Sequence, residues 1–141
     1  MNLNIVPYVG VGPIRFGMSR TEVRQIVGHS AKPFLKGPDA VIPTDAFDGI
    51  GMHVFYKKDD TCEAIEMFLA ADPTFEGKHL IERPFDKVLD WLQTIDDSLD
   101  VDNTGATSQK FGFGVYAPNC EESPSDPVEA VIVFEKGYYD N

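Results

Sequence analysis

Long apolar runs are missing from this chain. No stretch approaches the roughly 18 apolar residues that a membrane-crossing helix needs, so no membrane partner is expected. Cysteine is scarce: Cys62 and Cys120 stand alone and could pair with each other only in an oxidising compartment. The opening MNLNIVPYVGVG has no basic stretch, apolar core or cleavage site of an export signal, and no lipid-attachment cysteine. The expectation is therefore two reduced thiols in a cytoplasmic protein. Basic residues are few, 12 Lys and Arg against 23 Asp and Glu, for a net charge of −11. A chain this acidic does not track a phosphate backbone, which argues against direct nucleic-acid binding.

Catalytic patterns are missing as well. His29, His53 and His79 are far apart and share no ligand spacing with the cysteines, so neither a metal nor a cofactor is expected. Gly12–Ser19 has the spacing of a phosphate-binding loop, but Met18 stands where the lysine is required and Pro13 lacks a backbone donor. No Gly-x-Ser-x-Gly elbow occurs, and neighbouring carboxylates such as Asp96 and Asp97 are common in loops. These absences point to a non-enzyme. The alternative is a small enzyme whose site assembles only in space, around His53 with a carboxylate or with Cys62 or Cys120.

What is present is an ordinary globular composition. With 141 residues, 43% apolar and 11% aromatic, the chain suits one domain, or two very small modules sharing a core. A strand-like segment, 11–17, leads into a helix over about 19–27. Ser19 and Glu22 form a capping box, Met18 staples onto Val23, and Gly28 stops the helix. Val23, Ile26 and Val27 make its apolar stripe, with Arg20 and Arg24 facing outward. Residues 30–49, rich in Pro, Gly and Asp, read as loop with one short extended piece near 41–43. Met52–Lys57 and Cys62–Ala70 form a hairpin, with Ile65, Met67 and Leu69 on one face. Residues 72–77 read as turn, and 79–82 as a weak strand.

A second helix spans about 84–97. Pro84 occupies its first turn, and Phe85, Val88, Leu89, Leu92, Ile95 and Leu99 recur at helical spacing beside Trp91. A polar loop, the strand Phe111–Ala117, an acidic loop 118–127 and the strand Val128–Glu135 follow. The last is apolar on both faces, hence central in its sheet. The fold class is α+β, mostly antiparallel sheet with two main helices.

The chain also resembles itself. CEAIEMF at 62–68 aligns with VEAVIVF at 128–134, and GMHVFY at 51–56 with FGFGVY at 111–116, an offset of 60. The reading is a single domain over 1–141 with an internal duplication, 1–72 and 73–141, each half a strand-helix-strand-strand module. Charge is not shared between them. Residues 1–70 hold seven basic and eight acidic residues, and residues 71–141 hold five and fifteen. The excess gathers in Asp96, Asp97, Asp100 and Asp102, and again in Glu121, Glu122, Asp126 and Glu129, with no calcium-loop pattern. Tyr138 and Tyr139 near the C-terminus are suited to an interface.

The stretch GVGPIRFGMSRTEVRQIVG resembles the opening motif of the small outer-membrane assembly lipoproteins, through Ile14, Phe16, Gly17, Met18, Ser19, Glu22, Val23 and Gly28. The tandem arrangement is similar to that of the beta-lactamase inhibitory protein, which repeats a related module and grips an enzyme with its sheet and loops. The whole chain, ending VEAVIVFEKGYY, looks like small bacterial immunity proteins. These resemblances imply a tandem α/β fold and a protein-binding role. The expected function is an immunity protein that occludes the active site of a cognate bacterial toxin, such as a basic nuclease. Its expected contacts are Asp96, Asp97, Asp100, Asp102, Glu121, Glu122, Asp126, Tyr138 and Tyr139. An adaptor role in a secretion or envelope system is the further alternative, and a homodimer stays open as an assembly.

Overall fold

The computed structural model describes residues 1–140. In chain order the elements are β1 (Ile5–Val6), β2 (Gly10–Val11), β3 (Ile14–Arg15), α1 (Arg20–Val27), β4 (Lys32–Phe34), β5 (Thr44–Phe47), β6 (Met52–Tyr56), β7 (Cys62–Met67), β8 (Thr74–Phe75), β9 (Lys78–His79), α2 (Phe85–Ile95), β10 (Asp100–Asp102), β11 (Gly105–Ser108), β12 (Phe113–Tyr116) and β13 (Ala130–Phe134). Eight strands form one antiparallel sheet in the order β10-β11-β12-β13-β7-β6-β5-β4, while β1-β2-β3 and β8-β9 make small sheets of their own. The class is α+β, with two helices and mostly antiparallel sheet.

Alternation along the strands decides the faces. Met52, Val54, Ile65, Met67, Phe113, Val115, Val131 and Val133 are buried in one cluster with Val23 and Val27 of α1 and Phe85, Val88 and Leu92 of α2. Both helices therefore cover the same face. The opposite, open face carries a smaller cluster of Phe55, Ala64 and Phe134, with Tyr8, Ile132 and Tyr138 packed against it. Among the described residues no helix is long and apolar enough to cross a membrane.

The two halves use the same hydrogen bonds. Gly17 N donates to Cys62 O and Cys62 N to Met18 O; likewise Glu82 N donates to Val128 O and Val128 N to Arg83 O. Phe68 N donates to Gly51 O, and Phe134 N to Gly112 O. Gly51 and Gly112 both sit at positive φ, 67° and 71°, a conformation that favours glycine. The hairpin β2–β3, the helix α1 and the meander β4–β7 are thus matched by β8–β9, α2 and β10–β13. The halves join where β7 pairs with β13, in a register that sets Glu66 opposite Ile132 and Ile65 opposite Val133. Aligning CEAIEMF with VEAVIVF makes Glu66 and Ile132 counterparts, so a pseudo-twofold axis passes between them.

The matched register corrects the other strand alignment by one residue. Met52 pairs with Met67 and Phe113 pairs with Val133, so Met52 answers to Phe113, an offset of 61 rather than 60. The counterpart of Tyr116 is therefore Phe55, not Tyr56; the irregularity between Phe55 and Tyr56 skips Glu63 on β7.

Other expectations also change. The strand-like 11–17 is instead a hairpin that turns at Gly12 and Pro13. Residues 30–49 contain β4 and β5, and the polar segment after α2 contains β10 and β11, the four outer strands of the main sheet. Ile26 lies outside the buried stripe and is exposed. Leu69 follows the end of β7 and is exposed, while Ile65 and Met67 are buried. Arg20 is largely covered and Arg24 stays exposed, yet neither guanidinium is free. Both reach the fully buried carboxylate of Asp45, at 3.0 and 2.7 Å.

Candidate protein-binding surface

The candidate surface starts at the edge strand β10, which carries Asp100, Val101 and Asp102, all exposed. Asp102 Oδ1 accepts from the amide of Thr104 at 2.8 Å and from its hydroxyl at 3.0 Å, which closes the turn into β11. The acidic loop 118–127 folds beside that turn: Cys120 Sγ lies 3.5 Å from Asn103 O. The same loop caps α2, since Phe85 N donates to Asp126 O and Asp86 N to Pro124 O. A groove of about 360 Å³ between α2, β10 and this loop is lined by Leu89, Val101, Asp102, Asn103 and Glu121 among others.

Asp102 also lines a second groove on the open sheet face. This groove, of about 130 Å³, runs past Glu66, Thr107, Gly114, Tyr116 and Ile132. Small residues deepen it. A Cβ on Gly105 would stand 2.0 Å from Val115 O, so the strands approach there only because the side chain is absent. The volume is below the roughly 300 Å³ of a small-molecule site and suits one inserted side chain. Glu66, near the pseudo-twofold, is half-buried. Burial raises its pKa, with nearby His53 and Lys36 opposing. Tyr138 stacks on Phe134 with ring centroids 5.9 Å apart, and Tyr139 meets the same ring edge-on at 5.0 Å. Burial, then Tyr139, Glu63 and Glu66, push the Tyr138 hydroxyl up to about 12.

The expected contact residues divide. Asp97, Asp100, Asp102, Glu121 and Glu122 are exposed, and Asp126 is half-buried. None of the six makes an ion pair within 4.0 Å among the described residues. Asp96 is a correction. Its side chain is 2% exposed, accepts from Ser108 Oγ at 2.7 Å and from Ser98 N at 3.0 Å, and ties the end of α2 to β11. It cannot touch a partner. Tyr138 and Tyr139 belong to the open face near Glu66, not to the acidic edge. Glu66 and Tyr116 were missed because each sits in a strand among apolar residues, where sequence gives no sign of which face is uncovered. The acids of the first half are mostly engaged: Asp45 and Asp60 bind Arg20, and Glu22 caps α1.

His53 lies on the open face, edge-on to Phe34 and Phe68 at 5.1 and 4.7 Å, with Asp48 at 4.0 Å and Glu66 as its cross-strand neighbour. Cys62 and Cys120 are free thiols and both buried. Burial pushes Cys62 up to about 12, far from a nucleophile's range. No group of three or more His, Cys, Asp or Glu that could hold a metal ion occurs among the described residues. Comparison with protein-family models, with curated proteins and with solved structures finds no match for this chain.

Proposed function

We propose that the protein is a protein-binding inhibitor, an immunity protein of the cytoplasm that masks the basic active-site cleft of a cognate bacterial toxin. The carrying observation is the unneutralised acidic edge. Asp97, Asp100, Asp102, Glu121 and Glu122 are exposed and make no ion pair among the described residues. Unpaired acids at a sheet edge also guard it against strand addition. That role is local, whereas these acids continue through Asp102 into a groove on the open face. Such a one-sided field steers a basic partner and accelerates encounter. The open face then supplies contact area, with Tyr116 and Tyr139 exposed as aromatic anchors. The reading accords with the resemblance to the beta-lactamase inhibitory protein, which uses its sheet and loops in this way.

The test is association kinetics with a toxin domain encoded in the neighbouring gene, and a neighbourhood that encodes none counts against the immunity function. Neutralising Asp100, Asp102, Glu121 and Glu122 together slows association by about tenfold or more at low salt and flattens its salt dependence. An unchanged association rate refutes the acidic-edge mechanism. Failure of the neighbouring toxin domain to bind at all refutes the immunity function.

A further inference from the structure

The local charge reverses at one place. Of the five Lys and Arg in residues 71–141, three, Lys78, Arg83 and Lys87, line a single cavity of about 490 Å³. His79, Val88 and the chain's one tryptophan, Trp91, complete its wall. The three cations make no ion pair among the described residues, and the nearby Asp72 is engaged by His79 at 2.9 Å. The cavity lies between hairpin β8–β9 and the flank of α2. Lys87 and Trp91, four apart, are neighbours on one helix face. Phe75 packs beside the indole, with ring centroids 6.1 Å apart, and Lys78 Nζ lies 6.0 Å from the indole centroid. The first amides of α2 already donate to Asp126 O and Pro124 O, so the positive charge comes from side chains alone.

The first half provides an internal comparison. Through the matched hairpins and helices, Lys78, Arg83, Lys87 and Trp91 answer to Ile14, Met18, Glu22 and Ile26. There the same frame carries a capping carboxylate and aliphatic side chains. The scaffold therefore does not demand cations at these positions, and three of them lining one cavity with an indole call for another explanation.

We propose that this cavity binds a small organic phosphate carrying a flat ring, of the class of a nucleoside monophosphate. The fork of Arg83 and the ammonium groups of Lys78 and Lys87 match a phosphate dianion. The indole of Trp91 offers a stacking surface for the ring. The volume falls within the roughly 300–1,000 Å³ of ligand sites.

Titration of Trp91 emission and, in parallel, calorimetry with adenosine monophosphate test this. The expected result is saturable one-to-one binding at least tenfold tighter than either adenosine or ribose 5-phosphate alone. Arg83→Gln with Lys87→Gln weakens it at least tenfold while circular dichroism stays unchanged, and the single Lys78→Gln gives a smaller loss. Lys110→Gln, outside the cavity, has no effect. Absence of saturable binding, equal affinity for either fragment, or undiminished binding to the double variant overturns the proposal.

Discussion

Removing the carboxylate of Asp45 separates two accounts of how α1 is held. Asp45 is fully buried on β5 and accepts from Arg24 Nε at 2.9 Å, Arg24 Nη2 at 2.7 Å, Arg20 Nη1 at 3.0 Å and Tyr56 OH at 3.1 Å. Arg20 also sits 4.0 Å above the Tyr56 ring and binds Asp60. Breaking a buried pair by removing one partner costs about 3–5 kcal/mol. Arg24 is 42% exposed and recovers water, and Arg20 keeps Asp60, so Asp45→Ala belongs at the lower end, about 3 kcal/mol. With a urea m-value of about 2 kcal/mol/M, the midpoint falls by roughly 1.5 M, read from Trp91 emission. The second half shows that the cluster is replaceable, because the counterparts of Arg20, Arg24 and Asp45 are Phe85, Leu89 and Ala106. Transplanting that pattern as Arg20→Phe, Arg24→Leu and Asp45→Ala, with Tyr56→Phe added to remove the hydroxyl left without its acceptor, restores most of the loss, since apolar replacements of buried ion pairs are often neutral or stabilising. The pH dependence has a definite sign. Burial raises the Asp45 pKa, but the hydrogen bonds from Arg24 and Tyr56 and the charges of both arginines outweigh it, leaving the pKa lowered. Its contribution is present above the unfolded value of about 3.9 and is lost as pH falls through the folded one. The difference between wild type and Asp45→Ala therefore shrinks below about pH 4. A cost under about 1 kcal/mol at pH 7, or a quadruple variant as weak as Asp45→Ala, refutes the cluster as the clamp on α1.

Further outcomes follow from single contacts. Ser19→Ala removes half of the capping box and costs about 1 kcal/mol, a fall of about 2–4 °C in Tm by calorimetry. Gly105→Ala drives a Cβ into Val115 O and costs about 1–3 kcal/mol in urea titration; Gly37→Ala, with nothing within 4 Å, serves as the control. Glu66 has a raised pKa through burial, so its ionised form opposes folding and wild-type stability falls as pH rises through the window between the unfolded and folded pKa values. Glu66→Gln therefore raises the urea midpoint at pH 7, and the gain disappears at low pH; equal midpoints at pH 7 count against the assignment.

Helix α1 was legible because its signals are local: Ser19, Glu22 and Gly28 all lie within or directly beside the eight-residue helix they cap. Strands β6, β7, β12 and β13 were legible because they form the middle of the sheet and are apolar. The outer strands were not. Lys32 and Pro33 of β4 and Asp100 and Asp102 of β10 are exposed on edges, and Asp45 of β5 looks like a turn residue until Arg20 and Arg24 neutralise it. Tertiary pairing overrode propensity there. The acidic excess was visible as composition, but Asp96 and Asp97 are adjacent in sequence and only Asp97 is exposed. The difference lies in Ser108, twelve residues away, which periodicity cannot locate. The cationic cavity left a faint trace in the spacing of Arg83, Lys87 and Trp91.

The pseudo-twofold between Glu66 and Ile132 gives the open face a direction. Rotated about that axis, the central strands keep their register, but a carboxylate lands on an isoleucine, His53 on Gly114 and Phe55 on Tyr116. A partner seated across the centre meets matching strands whichever way round it lies, and matching chemistry in one orientation only. The scaffold is even-handed; its side chains are not, and they alone dictate the polarity of docking.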